Sequence, residues 1–177
     1  RVKDMVSSGN YLYIANDGSD ASGPCSSSAG QAEGCALQVY DISSSTNLVY
    51  VAGRDMTGSD GSVGAYESLI IDGNYLYAAV GISYDNACSQ VASLAFGCEL
   101  QVYDISSSTN PVYVAGRDAD GSAAGANYGY FEELFVSGDY LYVGKQGDPT
   151  ACSQVAGSAV GCELQVYDIS SSTNPTY

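Results

Sequence analysis

Six cysteines are the first residues whose type and spacing suggest chemistry. They fall into three pairs, Cys25/Cys35, Cys88/Cys98 and Cys152/Cys162, each with nine residues between its members. Such thiols can hold a metal, stay reduced and buried, or form disulfides. Structural zinc sites space their cysteines far more tightly, and the chain has no histidine to complete one. One disulfide per pair is therefore expected, each closing a long insertion at its base. In the chain-entropy model a loop of this size contributes roughly 2–3 kcal/mol. Persistent disulfides form outside the cytosol, so an extracellular or cell-surface location is expected.

The carboxylates come next. Asp17 and Asp20, Asp55 and Asp60, and Asp118 and Asp120 lie in glycine-containing loops of the kind that can ligate calcium. None completes an EF-hand pattern, and ordinary Asp-Gly turns account for them equally. No other cofactor is expected. Glu132 with Glu133, or a tyrosine–glutamate arrangement, is the best candidate for catalysis, but such sites also need several arginines. The chain has three, Arg1, Arg54 and Arg117. Without histidine, Ser-His-Asp and Cys-His catalysis are impossible. No nucleophile–base constellation is visible, so no enzyme is expected.

The balance of 20 acidic against 5 basic residues gives a formal net charge of −15. That excludes a basic surface for nucleic acid and opposes an anionic membrane. No apolar run approaches the length of a membrane span.

The elements that position these residues repeat. Asn10-Tyr11-Leu12-Tyr13 recurs at 74–77, and as Asp139-Tyr140-Leu141-Tyr142. Leu37 to Asn47 reads Leu-Gln-Val-Tyr-Asp-Ile-Ser-Ser-Ser-Thr-Asn and recurs letter for letter from Leu100 and from Leu164. The chain divides into repeats at 1–63, 64–127 and 128–177. Its two ends share one phase of the repeat, as in a window cut from a longer repeating polypeptide or a processed subunit.

Within the second repeat, strands are expected at 67–72, 75–80, 99–105 and 112–116, with Gly73-Asn74 as a hairpin turn. The strands are apolar on both faces, which implies sheets stacked against sheets. Four short antiparallel strands per repeat, stacked face to face, describe β-propeller blades, and the fold class is all-β. Tyrosine rings fill the space between sheets, with hydroxyls reaching solvent or backbone. Asp41, Asp104 and Asp168 open the serine-rich turns and are expected to cap them through backbone N–H groups. Three blades fall short of the four to eight of a usual ring.

Residues 97–106, 110–116 and 137–143 resemble the LVIVD repeat of bacterial and archaeal exported and surface proteins. The resemblance implies propeller blades and an exported setting, and little about activity. The cysteine-bearing insertion departs from the family pattern and lengthens each repeat.

Val91, Leu94, Phe96, Val155 and Val160 make two of the insertions apolar where a solvated loop should be polar. They either fold back on their own blade or form assembly contacts. Ser43, Ser44, Ser45 and Thr46, Ser106, Ser107, Ser108 and Thr109, and Ser170, Ser171, Ser172 and Thr173 form hydroxyl clusters suited to O-linked sugar. The expected function is an extracellular structural repeat protein, a filament or surface-layer component. Its partners are further copies of itself or further repeats of a longer chain. The alternative is a propeller binding module for a glycan or protein ligand.

Overall fold

The computed structural model describes residues 1–17, 25, 34–54, 65–81, 88, 98–118, 131–146, 152 and 161–177. Blade 1 contains β1 (Val2–Ser8), β2 (Tyr11–Asn16), β3 (Leu37–Asp41) and β4 (Val49–Arg54). Blade 2 contains β5 (Tyr66–Asp72), β6 (Tyr75–Val80), β7 (Leu100–Asp104) and β8 (Val112–Arg117). Blade 3 contains β9 (Phe131–Ser137), β10 (Tyr140–Lys145) and β11 (Leu164–Asp168). Every sheet is antiparallel and keeps sequence order, so each blade is a meander. In blade 3, Thr176 bridges Asp168, where Val112 pairs with Asp104 in blade 2.

Strand limits differ from the pattern by a residue or so, for identifiable reasons. Arg117 joins β8 because it faces Leu100 across the ladder. Ile105 leaves β7 because its N–H turns to the carbonyl of Asn74 in the neighbouring hairpin, at 2.8 Å. That tie recurs as Ile42 to Asn10 and Ile169 to Asp139, both 2.8 Å.

The meander sends its connections to two ends. Tight turns join β1 to β2 and β3 to β4 at one end. The longer connections, from β2 to β3 and from blade to blade, all leave from the other. Gly9, Gly73 and Gly138 hold φ near +55 to +58° in the first hairpin turns. No neighbour lies where a Cβ would stand, so backbone conformation alone selects glycine there. In the second turn, Oδ1 of Asp41, Asp104 and Asp168 accepts the N–H of Ser43, Ser106 and Ser170 at 2.7, 2.8 and 2.9 Å.

The core lies between blades. One buried cluster joins Tyr13, Ala15, Leu37 and Val39 of blade 1 to Leu69, Leu76, Tyr103 and Ile105 of blade 2. A second joins Tyr77, Ala79, Leu100 and Val102 of blade 2 to Leu134, Leu141, Tyr167 and Ile169 of blade 3. The two clusters use the same repeat positions. Backbone approach between blades runs chiefly through the first strands, β1 on β5 and β5 on β9. Sheets closest at their first strands have the wedge form of propeller blades. No helix among the described residues is long and apolar enough to cross a membrane.

Candidate assembly interface

Strand alternation gives each blade two faces. In the Leu-Gln-Val-Tyr strand, Leu and Val point toward the following blade, while Gln and Tyr point toward the preceding one. The burial pattern establishes this. Leu37, Leu100, Val39 and Val102 are fully buried, whereas Leu164 and Val166 of blade 3 are 63% and 38% exposed. Conversely, Met5 of blade 1 is 56% exposed, but its counterparts Leu69 and Leu134 are buried.

Polar contacts cross each joint at equivalent positions. The Arg54 guanidinium donates from Nε to the Pro111 carbonyl at 2.6 Å and from Nη2 to the Asn110 side chain. Arg117 repeats the grip on Pro175 and, at 2.7 Å, on Asn174. Each arginine therefore pins one blade to the Asn-Pro turn of the next. Burial draws the Arg117 pKa down, while Tyr167 and Tyr113 beside it favour the charge. An arginine stays cationic through such a shift.

Along the first strands, Asp4 Oδ2 accepts the Leu69 N–H at 2.7 Å, and Ser68 Oγ accepts the Leu134 N–H at 3.3 Å. These N–H groups lie on sheet-edge strands. Side-chain oxygens from the preceding blade supply partners that the ladder cannot. Lys3 Nζ adds an ion pair to Glu67 at 2.6 Å.

The tyrosine hydroxyls go mainly to side chains, where sequence reasoning expected solvent or backbone. Tyr40, Tyr103 and Tyr167 each donate to the glutamine two residues earlier, at 3.1, 2.8 and 2.7 Å. In blade 2, Tyr66 joins that pair, 2.6 Å from both Gln101 and Tyr103. Residues two apart share a strand face, so the Gln-x-Tyr pair carries its own partner into the joint. Burial, with the Glu99 charge second, raises Tyr167 well above the ordinary phenol range. Tyr13 and Tyr77 are fully buried and face Ser108 and Ser172 of the following blade. Burial raises both, and the serines pull the other way, but neither tyrosine hydroxyl reaches hydrogen-bond geometry.

The cysteines form disulfides Cys25–Cys35, Cys88–Cys98 and Cys152–Cys162. In each, the second sulfur is buried against a fourth-strand tyrosine or its equivalent: Cys35 on Tyr50 (3.3 Å), Cys98 on Tyr113 (3.2 Å) and Cys162 on Tyr177 (3.5 Å). Burial pushes Tyr113 up to about 12. A Cβ on Gly53 or Gly116 would overlap both the tyrosine hydroxyl and the cysteine sulfur. The glycine of Val-Ala-Gly-Arg is thus the floor on which the disulfide sits.

Other expected residues fall as follows. Val91, Leu94, Phe96, Val155 and Val160 lie outside the described residues, as do Asp20, Asp55, Asp60 and Asp120. Asp17 accepts hydrogen bonds from Arg1, and Asp118 lies within electrostatic reach of Tyr167. Among the described residues, no three His, Cys, Asp or Glu side chains gather in a way that could hold a metal. Glu132 and Glu133 stand exposed on β9. Of the turn hydroxyls, Ser108 and Ser172 are half-buried in the joints, and the others are exposed.

Sequence reasoning passed over the arginine grip. Its signal was present: in a chain with five basic residues, Arg54 and Arg117 occur at one repeat phase.

The fold and its joints define an all-β repeat protein of stacked, propeller-like blades. The LVIVD repeat model matches residues 1–20 and 128–148, the segments that carry the first hairpins of blades 1 and 3. The match is narrower than the strand likeness across all three repeats. No curated protein matches the chain.

Proposed function

We propose that this is an exported structural repeat protein, without catalysis, that assembles end to end with further copies of itself into a filament or surface layer. One observation carries the reading. The joint seen twice among the described residues leaves one half exposed on blade 1 and the complementary half exposed on blade 3, whether a second copy or a further repeat covers them. Blade 3 offers Leu164, Val166 and Phe135, the last 63% exposed, and blade 1 offers Val2 and Met5. The matched element is a repeat, and the three disulfides of the insertions, which lie outside it, suit an oxidising exterior. O-linked sugar on the exposed turn hydroxyls would fit the same setting.

Sedimentation and electron microscopy of the purified chain test this. Rings, filaments or larger oligomers support it, and Leu164→Lys should abolish them. A monodisperse monomer of 18.3 kDa at high concentration overturns it.

A second reading, a binding module, draws on the long connections leaving from one end of every blade. Competable hits on a glycan array, independent of oligomer formation, would favour it.

A further inference from the structure

The polar contacts along the first strands specify how one copy meets the next. Lys3, Glu67 and Glu132 occupy one repeat position, and Asp4, Ser68 and Glu133 occupy the following one. At the first joint, Lys3 pairs with Glu67, and Asp4 accepts the Leu69 N–H. At the second, Ser68 accepts the Leu134 N–H. Glu132 and Glu133 thus stand on blade 3 where Lys3 and Asp4 stand on blade 1, and both are exposed. On the opposite terminal blade, Lys3 occupies the place of Glu67 and the Met5 N–H that of the Leu69 N–H. The Met5 N–H meanwhile turns to Oδ1 of its own Asp4, at 2.7 Å.

We infer that Glu132 and Glu133 of one copy bind Lys3 and the Met5 N–H of a second copy, making the end-to-end joint charge-paired and directional. The inference rests on the end-to-end reading above. Position by position, the Lys3–Glu67 pair recurs between copies with its charges exchanged. A lysine ammonium has three donors and can serve Glu67 and an incoming Glu132 together. Two of the five basic residues, Arg1 and Lys3, sit at the start of the receiving blade. The opposite terminal blade presents Glu132, Glu133 and Glu163, all exposed. The second internal joint sets Glu67 and Glu132 at this position, so only a blade 1 with Lys3 offers a carboxylate an opposite charge, and tail-to-tail contact, which opposes carboxylates alone, is disfavoured. A joint of this kind is heterologous and yields a ring or an open fibre. With a chain charge of −15 resisting association in general, a local pair of opposite sign carries the register.

The test is a charge exchange between two full-length variants. Glu132→Lys alone sets two ammonium groups against each other at the joint, and Lys3→Glu alone sets two carboxylates against each other. Each should associate about tenfold more weakly than the wild type. In an equimolar mixture, opposite charges can meet wherever one variant follows the native arrangement of the other's partner: the unchanged Glu132 of the Lys3→Glu chain meets the unchanged Lys3 of the Glu132→Lys chain, and the two replaced groups also attract. Alternating copies therefore pair at every joint, and the mixture should recover to within about threefold of the wild type. Glu133→Ala should also weaken association, without changing the melting curve of the dilute chain. That melting curve checks the Lys3→Glu variant, which loses the internal pair to Glu67. Variants that associate like the wild type, or a mixture no better than its components, overturn the inference. If Leu164→Lys still abolishes association in that case, the end-to-end reading stands and only the charge pairing falls. A wild type that never associates removes both.

Discussion

Leu100 and Leu164 are the same letter at the same place in two successive blades. One is fully buried and the other 63% exposed. The strands that carry them have identical sequences, Leu-Gln-Val-Tyr-Asp, and both pair with their second strand in the same register. What differs is the neighbour. Blade 3 covers Leu100, and no described residue covers Leu164. Burial in a stacked-blade protein is therefore a property of the joint, whereas hydrogen-bonded turns and disulfide seats belong to the single blade. This separates effects that should vary from blade to blade from effects that should not.

The largest expected effect tests the joint itself. Leu100→Ala should cost ~2–5 kcal/mol in unfolding free energy, as for other core leucine truncations. Leu164→Ala should stay within about 0.5 kcal/mol for the isolated chain. Denaturant titration of both variants at low concentration checks this, and equal losses would break the comparison. An intermediate effect tests the blade. Gly53→Ala and Gly116→Ala drive a methyl group into a tyrosine hydroxyl and a disulfide sulfur, neither of which can readily move. Each should cost about 1–3 kcal/mol. The two losses should match, although the glycines lie in different blades, and thermal melts would show whether they do.

The smallest effect is local to one turn. Hydrogen bonds from the side chain and N–H of Ser106 hold the Asp104 carboxyl below the usual carboxylate range. Ser43 and Ser170 do the same for Asp41 and Asp168. A folded pKa below the unfolded value gives stability that is present above the unfolded pKa and lost as pH falls through the folded one. Asp104→Ala should therefore melt lower than the wild type at about pH 7, and the difference should close by about pH 2. Melting curves across that range measure it. The three aspartates are solvent-exposed enough that the effect at each should be slight and alike.

Much of this was legible in the sequence because repetition makes weak local signals agree. Tyr-Leu-Tyr and Leu-Gln-Val-Tyr mark strands apolar on both faces, Gly-Asn marks a left-handed turn, and paired cysteines mark staples. The strand motifs and cysteine pairs occur three times, and the turn reads Gly-Asn twice and Gly-Asp at 138–139. The arginine grip was harder to see. Arg54 and its acceptors on Asn110 and Pro111 are more than fifty residues apart, and no local pattern joins a strand-end guanidinium to a distant turn. The partners of the buried tyrosines were hidden for a related reason. Gln-x-Tyr fixes which side chains share a strand face, but only stacking makes that face dry enough to need an internal acceptor.

The sequence by itself determined the repeat, the strands, the turns, the cysteine pairing and the need for each apolar face to be covered. These depend on interactions within one blade, over a few residues or across a tight hairpin, and short-range chemistry suffices. The tertiary structure decided which face meets which neighbour, and therefore which copies of one motif become core and which remain surface. Identical residues cannot encode different burial, because burial is set by what packs against them. Leu164 and Val166 can be read as the counterparts of a buried joint only once blades 1 and 2 show Leu37, Val39, Leu100 and Val102 covered.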